Sequence, residues 1–292
     1  GYFNFICASI QENRGTSLFR SVPYVPYQPF PMLGSSRGQI WRYAPQYRRP
    51  RHFHAEPELN LVVAGTGTFG AGSVVFEAGP GALLCWPPGQ DHELIRASPD
   101  FHLFVVGLTP ELSERVLGSR SRLALTAPTR VQLSPAALGR FRTSCEVPSF
   151  CAEPEVRERR VATFWREAHE LRLGASDRQR SSRRALTSLL ERADLDRDQI
   201  ASLVRADPSE VSRQFRQRMG LTLTHYRTRL RLLAFIRSVD AGRTLLAAAL
   251  EAGFGSYSQC HRTFSQTFGC TPRRFFGSSV RAAMRDAFSP LD

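Results

Sequence analysis

The chain has 292 residues, 42% of them hydrophobic, enough for two domains with their own cores. Its net charge of +13 comes from arginine alone: lysine is absent, and 39 basic residues face 26 acidic ones. No run approaches the roughly 18 apolar residues of a membrane helix, so no membrane partner is expected.

Other global features narrow the class further. The N-terminus lacks the basic-then-apolar pattern of a signal peptide. Cys7, Cys85, Cys145, Cys151, Cys260 and Cys270 form no Cys-x-x-Cys pair and no zinc-ribbon spacing. Scattered reduced thiols in a cytoplasmic protein are the expectation. Split at Ser176, the chain carries 19 Arg against 15 acids before it (net +4) and 20 against 11 after it (net +9). The positive charge therefore concentrates in the C-terminal part, as phosphate neutralisation requires.

Residues 1–37 are rich in aromatics and proline, among them Tyr24, Pro26, Tyr27, Pro29, Phe30 and Pro31. They read as an N-terminal arm packed on the next domain. Residues 38–110 have a β pattern, with short runs such as LNLVVAG, SVVFEAG, ALLCW and FHLFVVGL punctuated by Gly and Pro. Strands this short and close argue for a small barrel or jelly roll.

Within this region RHFHAEPELNLVVAG places His52, His54, Glu58 and Gly65 in a His-x-His, three residues, Glu, six residues, Gly pattern. GALLCWPPGQDH adds Gly81, Pro87, Gly89 and His92 in a Gly, five residues, Pro-x-Gly, two residues, His pattern. The two patterns resemble the paired motifs of the cupin superfamily, with Arg96 where the second motif ends in asparagine. His52, His54 and Glu58 share parity, so on a regular strand all three point inward, and a bulge at Glu56-Pro57 would spoil this. His92 would join from a neighbouring strand. Three imidazoles and a carboxylate suit zinc, iron, nickel, manganese or copper. His102 and His169 have no such partners and read as structural or surface residues.

Residues 111–184 look helical and charged. Ser134 and Pro135 are a cap and first helical position. EPEVRERRVATFWREAHELRLG spaces Val156, Val161 (or Ala162), Phe164, Trp165, Ala168 and Leu171 near helical periodicity and ends at Gly174. This helix either pairs two copies of the chain or packs on its own barrel. GASDRQRSSRR, residues 174–184, is the polar linker, and ALTSLLERA opens residues 185–292.

That last part contains a duplication. An offset of 49 residues pairs Arg213 with Arg262, Phe215 with Phe264, Gln217 with Gln266, Gly220 with Gly269 and Thr222 with Thr271. Each copy (198–220 and 244–269) reads as two short helices around a tight turn. In the first, Asp207 is the N-cap, Pro208 the first helical residue, and Glu210 closes a capping box. In the second, Leu245, Leu246, Ala249 and Leu250 form one apolar face. Gly253-Phe254-Gly255 breaks that helix, and Ser256 with Gln259 starts the next at Tyr257. Its inner face is Cys260, Phe264 and Phe268. Leu223 to Val239 forms a rod of about 25 Å between the copies, at about 1.5 Å per residue. Two helix-turn-helix units on one rod suit two contacts about one DNA turn, roughly 34 Å, apart.

Ser212-Arg213-x-Phe215 with Gly220, and Gly253-Phe254 with His261-Arg262-x-Phe264, Phe268-Gly269 and Thr271-Pro272, resemble the AraC/XylS family of bacterial transcription regulators. Arg205 stands where the family's first turn often has glycine, implying a strained turn. Cys260 replaces a usual aromatic, implying a lighter core. The resemblance implies double-stranded promoter DNA as partner, a homodimer, a small-molecule or metal effector, and RNA polymerase if the protein activates. By alignment it implies DNA contacts at Ser209, Ser212, Arg213, Tyr257, Ser258, Gln259 and Arg262, with Arg216 and Arg218 on phosphate. Gln259 either caps its helix or faces DNA. Family members also keep cupin-like barrels without metal, so the quartet is either a metal site or an effector-pocket lining. A metal-dependent, dioxygenase-like cupin enzyme fused to a DNA-binding domain is the alternative function. An architectural protein without sequence preference is a third.

Overall fold

The computed structural model describes residues 27–44, 50–118, 128–146, 153–174 and 197–277. Most of the expected arm, the linker beyond Gly174, the ALTSLLERA segment, Cys7 and Cys151 lie outside the described residues.

In chain order the strands are β1 (Gly38–Tyr43), β2 (Glu58–Ala64), β3 (Gly67–Ala71), β4 (Val74–Ala78), β5 (Ala82–Trp86), β6 (Glu93–Ala97), β7 (His102–Leu108) and β8 (Thr129–Gln132). They form two antiparallel sheets, β1-β7-β2-β5-β8 and β4-β3-β6, stacked as a jelly-roll-like sandwich. One expectation is corrected. The 111–184 segment is not wholly helical, because β8 completes the larger sheet by pairing with β5 from Ala82↔Gln132 to Cys85↔Thr129. Four residues carry too little alternation to announce a strand; the open edge of β5 supplies the pairing.

Strand β2 explains how polar side chains come to face the interior. It is central in its sheet and buried on both faces, so its alternate residues enter two different cores. Leu59 and Leu61 face the helices α1 (Pro110–Leu117), α2 (Pro135–Cys145) and α3 (Pro154–Gly174), packing with Phe141, Phe164 and Trp165. Glu58, Asn60 and Val62 have the opposite parity; Val62 meets Phe69, Trp86 and Val105 between the sheets. Ser134 caps α2 as expected. Helix α3 lays Val161, Phe164, Trp165 and Ala168 on its own barrel, while Leu171 is exposed.

The C-terminal part contains α4 (Arg197–Val204), α5 (Pro208–Met219), α6 (Leu223–Asp240), α7 (Leu245–Glu251), α8 (Tyr257–Phe268) and α9 (Pro272–Phe276). The 49-residue repeat is reproduced cap for cap. Gly220 and Gly269 end α5 and α8 with the same left-handed φ of 68°, and Thr222 and Thr271 cap the helices that follow. Arg205 holds the first turn at φ 53°, the only positive φ outside glycine among the described residues and the strain its identity implied. Helix α6 serves both units. Leu223 and Tyr226 sit in the core of the first, and Leu232, Phe235 and Ile236 in that of the second. On α7 the expected apolar face is corrected: Ala248 and Ala249 are buried, but Leu246 and Leu250 are exposed. Small residues allow α7 to lie close against α6, which turns the two leucines outward. No helix among the described residues is long and apolar enough to cross a membrane.

Candidate metal centre and nucleic-acid interface

The expected single strand from His52 to Glu58 is broken. Residues 55 and 56 form a bend, and His52 instead pairs with His92 through two backbone hydrogen bonds of 3.1 and 2.9 Å. The inward direction survives the bend because His54 Nδ1 is bonded to Glu56 O at 2.7 Å, pinning the ring across it. His52, His54, Glu58 and His92 are all buried, and ring nitrogens of the three histidines lie within 4.8 Å of one another.

The hydrogen bonds fix the tautomers. His52 Nδ1 meets Pro50 O at 2.8 Å, and His92 Nδ1 meets Gln90 O at 3.2 Å, as His54 Nδ1 meets Glu56 O. A carbonyl can only accept, so each Nδ1 carries a proton and Nε2 is the ring atom left to face the interior of the site. Glu58 completes the set, with Oε2 3.2 Å from His54 Nε2 and Oε1 3.5 Å from His92 Nε2. Burial pushes the Glu58 carboxyl up, but His92 and His54 pull it further down, holding it well below the usual carboxylate range. An ionised carboxylate beside two ring Nε2 atoms requires positive charge among them, carried by protons on the rings or by a cation that takes the place of those protons. The donor chemistry therefore fits a cation.

Sequence reasoning missed the groups that support this centre. Asn60 Nδ2 donates to Glu58 Oε1 at 2.7 Å, and Trp86 Nε1 donates to Asn60 Oδ1 at 2.6 Å. The Trp86 ring also stacks on His92, 5.2 Å between centroids and 5° from parallel. The available signal was parity: an asparagine two residues from Glu58, between two core leucines, must share its interior face. Arg96, at the motif's missing asparagine, lies on the surface, donating to Thr68 Oγ1 and paired with Glu77. His102 is half-buried at the rim, bonded to Asp100 O, and His169 is buried in α3. A cavity of about 60 Å³ adjoins the quartet, lined by Tyr43, Asn60, Phe69, Leu103 and Val105 among others.

The segments that carry the histidines also hold the helical domain. Phe53, between His52 and His54, necessarily faces the other way; it is fully buried against Tyr27 and Phe268. Arg229 of α6 lies 4.9 Å from the centre of the Phe53 ring and donates to Asp91 Oδ1 at 2.6 Å. Asp91 Oδ2 accepts from Arg51 at 3.0 Å. Burial works against the Asp91 carboxylate, but Arg229 and Arg51 hold it below the usual range. Tyr226 Oη donates to Pro88 O, Gln90 Nε2 to Met219 O, and Ser73 N to Gly220 O. Gly72 and Gly220 meet so closely that a Cβ on either would stand 2.3–2.9 Å from backbone atoms of the other side.

On the helical domain, Ser209, Arg213 and Arg216 of α5 and Ser258, Gln259 and Arg262 of α8 are exposed, while Ser212 and Tyr257 are half-buried. Tyr257, Ser258, Arg262 and Gln266 line an open groove of about 600 Å³ with His261 and Ser265. Two capping roles are sharpened. The Glu210 carboxylate does not close a box; it turns along α5 to Arg213 and Gln214. Gln259 Oε1 accepts from Gly255 N at 2.9 Å, so its carbonyl serves the turn.

Comparison with known proteins places this architecture. A family model described as an AraC-like ligand binding domain matches residues 33–193, more than half of the chain, and a helix-turn-helix domain model matches residues 200–278. No curated protein matches the chain. Among solved structures, ToxT from Vibrio cholerae aligns over 83% of this chain and 98% of its own, at 11% identity and a TM-score of 0.41. ToxT with a bound unsaturated fatty acid aligns over 83% and 95%, at 10% identity and 0.39. The plu4264 protein from Photorhabdus luminescens aligns over 25% of this chain and 62% of its own, at 27% identity and 0.23. A ligand-binding sandwich followed by a duplicated helix-turn-helix, each matched by its own family model, makes this chain a member of the AraC family of ligand-sensing, DNA-binding transcription regulators.

Proposed function

We propose that the regulator's effector site is the buried quartet, with His52, His54, Glu58 and His92 holding one divalent transition metal, and that its state alters how the helix-turn-helix units are presented to promoter DNA. The observation that carries this reading is a buried cluster of three histidine rings with nitrogens within 4.8 Å of one another, and the ionised Glu58 carboxylate beside two of them. Zinc, iron, nickel, manganese and copper all accept such a donor set. A bound metal would act as a fixed positive charge and Lewis acid. The chain's own groups do the rest: the Pro50, Glu56 and Gln90 carbonyls orient the rings, and Asn60 and Trp86 fix the carboxylate. The cavity of about 60 Å³ is far below the roughly 300–1,000 Å³ of a pocket for a drug-sized ligand, which favours an ion with at most a very small co-ligand.

The DNA-contacting set is Ser209, Ser212 and Arg213 on α5 with Tyr257, Ser258, Gln259 and Arg262 on α8, and Arg216 meets phosphate. Helix α6, 18 residues and about 27 Å long, is the spacer for two neighbouring major-groove segments. The protein acts in the bacterial cytoplasm as a homodimer, contacting RNA polymerase if it activates. Because α3 lays Val161, Phe164, Trp165 and Ala168 on its own barrel, pairing through that helix has its polar residues and Leu171 to use. Sedimentation of the purified chain measures the assembly.

Elemental analysis of protein purified without chelator should find near one equivalent of metal, absent from a His52→Ala/His54→Ala double variant. A metal-free wild type whose operator binding ignores added metals and chelator returns the quartet to pocket lining. Steady consumption of oxygen or an organic substrate by metal-loaded protein would favour the enzymatic alternative over stoichiometric sensing.

A further inference from the structure

We propose that the two recognition helices are unequal readers: Arg262 on α8 is the primary base-reading arginine, and Glu210 is a specificity gate that holds Arg213 back on α5. This rests on the reading of α5 and α8 as the DNA-facing helices. The repeat makes Arg213 and Arg262 equivalent, and the same offset pairs Glu210 with Gln259. The structures of the two sites differ at this pair. Arg213 donates through Nε, at 3.0 Å, and through Nη2 to the same Glu210 oxygen, and Gln214 holds the other oxygen. In the second unit Gln259 is neutral and turned to Gly255 N, and Arg262 makes no ion pair among the described residues.

Donor geometry turns this difference into unequal reading. A guanidinium grips guanine O6 and N7 with two parallel N–H groups, so it must present that edge free. Arg262 is exposed in the open groove of α8 with no acidic residue at three or four positions either side. Arg213 has to leave its carboxylate first, so any base contact it makes is weakened by the strength of that pair. An exposed pair of this kind is worth at most about fivefold, so it tunes the contact without abolishing it.

The test is a double-mutant cycle in the full chain, using the tightest duplex selected from a random library and an unrelated duplex at one salt concentration. Arg262→Ala should weaken selected-duplex binding by about ten- to hundredfold. Arg213→Ala alone should cost no more than about threefold, Glu210→Gln should tighten binding by up to about fivefold, and Arg213→Ala in the Glu210→Gln background should cost about tenfold. Equal losses from Arg213→Ala and Arg262→Ala in the wild-type background would overturn the inequality. Weaker or base-relaxed binding by Glu210→Gln would overturn the gate, making Glu210 a buttress or itself a cytosine acceptor. If Arg262→Ala loses equally on both duplexes, base reading by α8 fails instead. Helical circular dichroism and thermal melts of each variant separate any of these results from misfolding.

Discussion

Gly220→Ala tests whether the sensor and the DNA-binding domain form one docked body. Gly220 sits at φ +68°, and a Cβ there would lie 2.3 Å from Ser73 N, 2.5 Å from Ala71 O and 2.9 Å from Gly72 Cα. These are backbone atoms, so the two surfaces must separate. Separation removes the Ser73 N to Gly220 O bond at 2.9 Å and the Gln90 to Met219 O bond at 3.1 Å, about 1 kcal/mol net each. The left-handed backbone adds about 1–2 kcal/mol for any residue with a Cβ. Gly242→Ala isolates that conformational part, since Gly242 has φ +88° with nothing within 4 Å of an added Cβ. The difference between the variants, about 2 kcal/mol, belongs to docking and is roughly a 30-fold change in the docked fraction. Trp41, Trp86 and Trp165 all lie in the sensor, so tryptophan fluorescence follows its unfolding in urea, while far-ultraviolet dichroism weights the helical domain. Gly220→Ala should separate the two transitions and enlarge the radius of gyration; Gly242→Ala should do neither. Equal cost and unchanged radius in both variants would refute the docked body.

Other variants probe single links. Asp91→Asn leaves Arg229 and Arg51 without their shared carboxylate and should weaken docking by about 2–3 kcal/mol; the radius of gyration reads this, and an unchanged radius would make the pair incidental. Arg205→Gly relieves the only non-glycine positive φ described and should raise the urea midpoint of the helical domain by the equivalent of about 0.5–1 kcal/mol. No gain there would mean that contacts of the turn, rather than its backbone, set its conformation. Asn60→Ala removes the group that orients Glu58 and should weaken metal binding about 10–100-fold with all three histidines intact. Unchanged affinity by competition with a chromophoric chelator would remove Asn60 from the centre.

Much of the helical domain was legible because its signals are local. Caps at Asp207 and Ser256, the glycines at 220 and 269, and the 49-residue offset each depend on a few neighbouring residues. The quartet was legible for a similar reason, as spacing within two motifs. What escaped depended on partners distant in sequence. Strand β8 exists because β5 offers an edge, and Leu246 and Leu250 are exposed because α6 takes the alanine side of α7. Parity pointed His52, His54 and Glu58 inward and they are buried, although the chain bends at 55 and 56, beside the Glu56-Pro57 pair that allowed an irregularity. The same parity held the missed information that Phe53 must face outward, onto the helical domain. A fully buried phenylalanine between two candidate ligands, stabilised by about 2 kcal/mol of burial, joins the candidate centre to the helical domain.

That connection is the central claim, and operator affinity with the centre loaded and emptied tests it most directly. One preparation, measured on its selected duplex at fixed salt after metal loading and again after chelation, should differ by about 5–150-fold, the usual range of coupling between two sites. The His52→Ala/His54→Ala variant should show a single affinity under both conditions. Identical wild-type affinities with and without bound metal would contradict the account.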